Sequence, residues 1–203
     1  LIQAKYMPIA NDDILSSDGE RVYMQEQNFD MQGKRILVGP TLPAGKRAAQ
    51  VENGGNRHLF CQTGLLDDVW FHRSYLLYAQ DCGEGWGAYA NARSSNPAGR
   101  VMVLDESRAY AFRSNPLGNM LHPRTTYHLY AADKEPGGAE PEPQTARARK
   151  RQNLAQGVRI TGHKVHWQKN GLPMLVNSMV LAGKHLFMAG PPDMADETKM
   201  LGY

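Results

Sequence analysis

The fold is decided by a stretch that runs Val101-Met102-Val103-Leu104-Asp105-Glu106-Ser107-Arg108-Ala109-Tyr110-Ala111-Phe112. It consists of an apolar segment, a short polar turn and a second segment that carries an aromatic residue. Two other stretches, 14–24 and 178–188, have the same order, with Asp18-Gly19 and Gly183-Lys184 at their turns. Because these turn residues accept the positive φ angles of tight hairpins, the three stretches predict three β-hairpins.

The spacing of the three hairpins indicates a repeat. Their first residues, Ile14, Val101 and Ser178, are 87 and 77 positions apart. Both separations are close to twice ~40 residues, the length of a four-stranded propeller blade. Other candidate strands lie at 35–38, 57–61, 70–78, 126–133 and 158–167. The chain is therefore expected to be all-β and built from β-propeller blades of antiparallel strands.

Composition and charge exclude several classes of protein. The 203 residues are 41% hydrophobic and include 20 glycines and 12 prolines, a turn-rich composition that favours many short strands. No window approaches a run of ~18 apolar residues, so the sequence predicts no membrane-spanning helix. The net charge of +3 comes partly from one basic run at 147–151, so nucleic acid is not expected as a partner.

The two cysteines, Cys61 and Cys82, form neither a CxxC nor a CxxCH motif. The chain therefore lacks the signature of a zinc ribbon, a thioredoxin-type redox site or a covalent c-type haem. A disulfide between the two cysteines and two separate thiols both stay open, because sequence separation does not fix the distance between Cα atoms.

Residues 134–156 differ in composition from the rest of the chain. They contain three prolines, the Gly137-Gly138 pair and an acidic stretch followed by a basic block, and their only large apolar residue is Leu154. Such a segment buries too little apolar surface to offset the entropy of ordering it. It is expected to form a long exposed loop.

Four segments carry a more specific pattern. They are 11–19 (NDDILSSDG), 58–75 (HLFCQTGLLDDVWFHRSY), 97–105 (PAGRVMVLD) and 175–193, which includes SMVLAG and AGPPD. In this order they resemble DDILVSDG, HLFSPTGFLDDSWWHRxYW, PAGRILVFD and AMVLAG…LFVAGPPD. These patterns are typical of secreted planctomycete-type bacterial proteins described as PQQ-binding-like β-propeller repeat proteins, and the resemblance covers residues 11–193 with gaps at the loops.

The resemblance implies a propeller and a secreted, periplasmic or extracellular bacterial location. A closed propeller of six to eight blades needs roughly 240–320 residues, so this chain has room for about four or five blades. Residues 1–203 are therefore expected to form one partial propeller domain. Its exposed sheet edges would be covered by other protein chains or by the remainder of the propeller.

The densest polar cluster is the segment 67–73. Alternation along a strand would place Asp68, Trp70 and His72 on one face, with Asp67 and Arg73 on the other. A carboxylate and an imidazole on one face suit acid–base chemistry or a metal site, and they equally suit a buried hydrogen-bond network that fixes the blades. We favour the buried network, for which His72→Ala should lower stability by about 1–3 kcal/mol.

Three further features are candidates for binding. Trp86 lies in a glycine-rich stretch, 83–89, that could stack on a flat ligand or pack closely against the fold. Arg100 could pair with a carboxylate or hold an anion. Asp12 and Asp13 are weak candidates for calcium, because alternation points adjacent carboxylates apart. No catalytic residue is assigned, and the candidate binding residues are Asp67, Asp68, Trp70, His72, Arg73, Trp86 and Arg100.

The expected function is that of a non-enzymatic scaffold or binding module in a larger secreted or envelope assembly. The alternative is the propeller part of a quinoprotein-like redox enzyme, or of another enzyme, whose active residues lie partly outside this chain. Quinoprotein dehydrogenases resemble one another in a tryptophan-docking repeat and, in many of them, a vicinal cysteine pair, whereas this chain has only three tryptophans and well-separated cysteines. No cofactor is therefore predicted, and PQQ or calcium stays possible without support from a motif.

Overall fold

The computed structural model describes residues 14–24, 27–36, 56–61, 76–80, 94–115, 126–137, 158 and 160–194. These residues form twelve β-strands. The chain divides into two units, residues 1–93 and residues 94–203, and the strand pairs within each unit are antiparallel. The sheets contain two to four strands, so the prediction of an all-β fold is confirmed for the described residues.

The described part of the first unit contains strands β1 (Leu15–Ser17), β2 (Val22–Met24), β3 (Gln27–Phe29), β4 (His58–Cys61) and β5 (Leu76–Ala79). β1, β2 and β3 form one sheet in that order, and β4 pairs with β5. Several apolar side chains in these strands are removed from water, which is the main favourable contribution to folding. The fully buried ones are Tyr23, Phe60, Cys61, Leu77 and Ala79.

The described part of the second unit contains strands β6 (Ala98–Gly99), β7 (Val101–Leu104), β8 (Arg108–Asn115), β9 (Thr126–Asp133), β10 (Val165–Asn170), β11 (Ser178–Ala182) and β12 (His185–Ala189). β7, β8, β9 and β10 form a four-stranded sheet in sequence order. Each strand of this sheet is therefore hydrogen-bonded to its neighbour in the chain. β11 and β12 form a separate hairpin, and β11 lies beside β7.

The four-stranded sheet has a front face and a back face, because successive side chains of a strand point to opposite sides. The front face carries Phe112 and Leu129, which form a buried apolar cluster with Val176 and Met179. Burying a side chain such as Phe112 stabilises the fold by about 1.5–3 kcal/mol. The β11–β12 hairpin therefore packs against the front face, where the partly buried side chains are Val101, Val103, Tyr127, Leu172, Met174, Leu186 and Met188.

The back face of the sheet is lined by small side chains where β6 approaches β8. A Cβ atom at Gly99 would lie 2.8 Å from the Cβ atom of Ala111 and 2.9 Å from the carbonyl oxygen of Phe112. The N–H of Arg100 also donates to that carbonyl oxygen at 2.7 Å. Only glycine fits at position 99 without moving the backbone of β8.

The three predicted hairpins are confirmed as β1–β2, β7–β8 and β11–β12. The strand predicted over 126–133 coincides with β9, and the prediction over 57–61 differs from β4 by one residue. Of the strand predicted over 70–78, residues 76–78 lie in β5 and 70–75 are outside the described residues.

One strand prediction needs correction, and another is covered only in part. The strand predicted over 158–167 begins only at Val165 and continues to Asn170, because a tight turn comes first. In this turn Gly162 has a φ of 78° and the N–H of His163 donates to Ile160 at 3.1 Å. In the strand predicted over 35–38, Arg35 makes an isolated bridge and residues 37–38 lie outside the described part.

The predictions for the loop and the cysteines are covered only in part. Residues 135–137 are exposed and lie beyond the end of β9, while 138–156 are outside the described residues. Cys61 is fully buried in β4. Cys82 is also outside the described residues, so the question of a disulfide stays a prediction.

Candidate functional site

The structure describes only one of the residues predicted to bind a ligand or metal. Arg100 is exposed between β6 and β7, and its backbone is tied to β8. The others lie outside the described residues; they are Asp12, Asp13, Asp67, Asp68, Trp70, His72, Arg73 and Trp86. The interpretation of the 67–73 cluster as a buried network therefore stays a prediction.

A carboxylate organises the turn of the β7–β8 hairpin. One oxygen of Asp105 accepts hydrogen bonds from the backbone N–H groups of Ser107 at 2.7 Å and Arg108 at 2.6 Å. The other oxygen accepts a hydrogen bond from the hydroxyl of Tyr110 at 3.0 Å. The two backbone N–H groups have no backbone acceptor within a tight turn, so the aspartate side chain supplies the hydrogen-bond acceptor for both.

The β1–β2 hairpin has the same arrangement. One oxygen of Asp18 accepts hydrogen bonds from the N–H groups of Glu20 at 3.0 Å and Arg21 at 2.8 Å. The other accepts from the hydroxyl of Tyr23 at 2.6 Å and from the Asn56 side chain at 2.8 Å. We call this arrangement the Asp–Tyr clamp, defined by Asp18 with Tyr23 and by Asp105 with Tyr110.

The β11–β12 hairpin has neither partner of the clamp at the corresponding positions. Counted from the turn, the pair Leu181–Leu186 corresponds to the last strand pair before the turn in each clamped hairpin. Ala182 and Phe187 therefore occupy the positions that aspartate and tyrosine have in the clamped hairpins. Without the carboxylate, the ladder continues for one more pair and closes in a two-residue turn. Gly183 adopts a φ of 58° there, as such a turn requires.

The clamp changes the proton affinity of both partners. Partial burial alone would raise the pKa of Asp18, but the hydrogen bonds from Tyr23, Asn56 and the turn backbone outweigh it and hold the pKa well below its usual range. The pKa of Asp105 is lowered by its equivalent bonds against the same opposing effect of burial. Burial, together with the nearby carboxylate, raises the pKa of Tyr23 and of Tyr110. The two clamps therefore keep an ionised aspartate beside a neutral phenol.

A group of buried polar side chains lies on the back face of the four-stranded sheet. Arg113 on β8 is opposite His128 on β9, and both are buried. The Arg113 guanidinium lies 5.7 Å from the centre of the Tyr130 ring, a cation–π distance. The Nδ1 atom of His128 contacts the Asn170 side chain, and its Nε2 atom is buried without a hydrogen-bond partner among the described residues.

Tyr130 ties this polar group to strand β6. Its hydroxyl donates to the carbonyl oxygen of Ala98 at 2.8 Å and accepts from the N–H of Ala98 at 2.9 Å. Burial raises the pKa of Tyr130, so the phenol remains neutral at physiological pH. Its hydroxyl therefore acts as a structural link between β9 and β6.

Two imidazoles contact Asp133 where β9 and β10 pair, one at its carboxylate and the other at its backbone carbonyl oxygen. The Nε2 atom of His166 lies 2.5 Å from the Oδ1 atom of Asp133, and the Nδ1 atom of His163 lies 2.8 Å from the Asp133 carbonyl oxygen. The pairing register shifts between Val165 and Trp167, which places His166 at a β-bulge. The contact between the side chains of His166 and Asp133 accordingly links β10 to β9 at the bulge.

Neither these groups nor the comparisons with known proteins identify an activity. In the described ranges no set of three or more His, Cys, Asp and Glu side chains is arranged to hold a metal ion, and no helix there is long and apolar enough to cross a membrane. Comparisons with family models, curated proteins and solved structures find no match to this chain.

The Asp–Tyr clamp has a sequence signal that the hairpin predictions do not include. Both clamped hairpins contain the pattern Asp-x-x-Arg-x-Tyr, at 18–23 and at 105–110. The five-residue spacing brings the tyrosine back across the turn to the carboxylate. The buried polar group has no comparable signal, because Arg113, His128 and Tyr130 are brought together only by the register of β8 and β9.

Proposed function

We propose that this chain forms part of a β-propeller that serves as a non-enzymatic scaffold or binding module in a secreted or envelope assembly. The observation that carries the proposal is the order of elements in the second unit. A four-stranded antiparallel meander is followed by a hairpin whose first strand, β11, lies beside β7, the first strand of the meander. Successive propeller blades place their first strands side by side around the central axis.

The roles of the described polar groups support a scaffold. The carboxylates of Asp18 and Asp105 accept hydrogen bonds from turn backbone and tyrosine, and the Tyr130 hydroxyl is bound to the backbone of β6. Each of these groups is used to hold a turn or a strand. A catalytic group, by contrast, needs an atom within reach of a substrate.

Two measurements on the purified protein separate a scaffold from a quinoprotein-like enzyme. The first is dye-linked oxidation of alcohols and glucose after incubation with PQQ and calcium. The second is native mass spectrometry of the protein isolated from its host, which reports bound quinone, haem, metal and partner chains. We expect no quinone-dependent activity and a mass above the 22.6 kDa of this chain because of bound protein. Quinone-dependent dye reduction, or a retained quinone mass, would contradict the proposal.

A further inference from the structure

Strand β10 ends in an asparagine that is followed by a glycine. Asn170 is the last residue of β10 and is exposed, and Gly171 follows it with a φ of 60°. A Cβ atom at Gly171 would have no heavy atom within 4 Å, so the space beside this peptide bond is open. Glycine has no side chain to shield its backbone nitrogen from the preceding side chain. The side-chain amide of Asn170, a thermolabile group, is therefore poorly protected from that nitrogen.

The same amide is held by an imidazole on the neighbouring strand. Asn170 is paired with His128 of β9, and the Nδ1 atom of His128 contacts the Oδ1 atom of Asn170. An amide oxygen only accepts hydrogen bonds, so Nδ1 carries the proton and donates. A donor on this oxygen stabilises the negative charge that develops there when a nucleophile attacks the amide carbon. The fold thus activates the amide that lies next to the unshielded nitrogen.

We propose that Asn170 is a site of spontaneous deamidation, and that the aspartate product places a carboxylate against His128. The backbone nitrogen of Gly171 loses its proton to solvent and forms a bond with the Cγ atom of Asn170. The bond from Cγ to the amide nitrogen then breaks, and ammonia leaves with a proton taken from solvent. Water adds to either carbonyl carbon of the resulting succinimide ring and opens it to aspartate or isoaspartate. The net reaction consumes one water and releases one ammonia.

The Asp-Gly pair at 18–19 could form the same ring, and the fold protects it. Gly19 has a φ of 92° and is as open as Gly171. However, both carboxylate oxygens of Asp18 accept hydrogen bonds in the Asp–Tyr clamp, from turn N–H groups and from Tyr23. These bonds hold the side chain in place and keep it ionised, and an ionised carboxylate is a poorer electrophile than an amide. We therefore expect modification at Asn170 and not at Asp18 in the folded chain.

Deamidation changes the charge beside a buried basic group. Arg113 and His128 are both buried and face each other across β8 and β9. Asn170 adjoins His128 as a neutral amide. An aspartate at this position keeps an oxygen acceptor for Nδ1 and adds a negative charge next to the imidazole, which strengthens the hydrogen bond. Conversion to aspartate is therefore compatible with the pairing of β9 and β10.

Peptide mapping of the whole chain tests the proposal. The protein is incubated at neutral pH in water enriched in heavy oxygen, digested with trypsin in ordinary water, and the peptide 170–184 is fragmented. This peptide also contains Asn177, which is exposed and precedes Ser178, so it carries its own control. Heavy oxygen should enter at position 170 at least about tenfold faster than at 177. Equal rates, or an unmodified Asn170, would overturn the proposal. The Asn53-Gly54 pair lies outside the described residues and falls in another peptide.

The same samples test the roles of His128 and of the clamp. His128→Leu removes the donor on the amide oxygen and should lower the ratio of the two rates, Asn170 to Asn177, several-fold; an unchanged ratio removes the activation step. Circular dichroism shows whether this variant folds, and wild type unfolded in urea gives the comparison without a substitution. Isoaspartate should form at Asp18 in urea and not in the folded chain. Equal formation in both states would contradict protection by the clamp.

Two substitutions at position 170 test where the new carboxylate lies. Asn170→Asp reproduces the aspartate product and should have a urea midpoint at least equal to that of wild type. Asn170→Ala is the matched control, because it leaves the Nδ1 proton of His128 without its acceptor, and its midpoint should be lower than that of wild type. A midpoint for Asn170→Asp below that of Asn170→Ala would show that the carboxylate does not face His128.

Discussion

Replacing Tyr130 by phenylalanine should strongly destabilise the second unit. The substitution keeps the ring over Arg113 and removes only the hydroxyl that bonds both to the carbonyl oxygen and to the N–H of Ala98. Tyr130 is 0% exposed and Ala98 is 1% exposed, so water does not replace the lost partner. Two buried backbone groups that each lose a partner cost about 1–3 kcal/mol apiece, which gives about 2–6 kcal/mol in total.

Tyr110→Phe is the matched control, because it removes the same atom from a half-buried tyrosine whose hydroxyl bonds to Asp105. Solvent can hydrate Asp105 after that change, so the loss should stay below about 1 kcal/mol. Urea unfolding followed by far-UV circular dichroism measures both variants, and Tyr130→Phe should also lower Tm by about 4–24 °C. If Tyr130→Phe is no more destabilised than Tyr110→Phe, the hydroxyl does not link β9 to β6 as we argue.

Three other substitutions test the turns and the close packing of the sheet. Hydrogen bonds hold the pKa of Asp18 below its unfolded value, so its stabilisation is present above about pH 4 and is lost as the pH falls. Asp18→Asn should therefore lose less stability than wild type between neutral pH and about pH 3, and equal losses would contradict the clamp. Gly99→Ala should cost about 1–3 kcal/mol in urea unfolding, since its Cβ atom would lie 2.8 Å from that of Ala111; a neutral result would refute the close approach. Gly183→Ala, at a φ of 58°, should cost about 1 kcal/mol, whereas Gly137→Ala should change stability by less than about 0.5 kcal/mol; equal effects would count against a strained turn.

The sequence predicts the local elements of this fold better than their assembly. The hairpins at 14–24, 101–112 and 178–188 are encoded locally, because apolar alternation and turn residues lie within a dozen positions. The strand prediction over 158–167 does not include the turn at Gly162, because apolar residues on both sides of the glycine are also typical of one continuous strand.

The buried polar group on the back face of the sheet cannot be predicted from local sequence patterns. Burial of Arg113 and His128 depends on which strands become neighbours and in what register, and neither residue stands in a recognisable local pattern. The candidate cluster at 67–73, by contrast, does have a clear local pattern, because charged and aromatic residues follow one another there. These residues lie outside the described part of the chain, so their predicted role stays a prediction.

The Asp–Tyr clamp has a consequence for the order of folding. Asp105 and Tyr110 are five positions apart, so closing the loop between them costs little chain entropy, and hairpins form within microseconds. The apolar cluster that contains Met179 and Phe112 closes a much longer loop and forms later. Asp105→Asn should therefore slow folding with a φ-value well above that of Met179→Ala, so that β7–β8 acts as a nucleus on which the β11–β12 hairpin condenses.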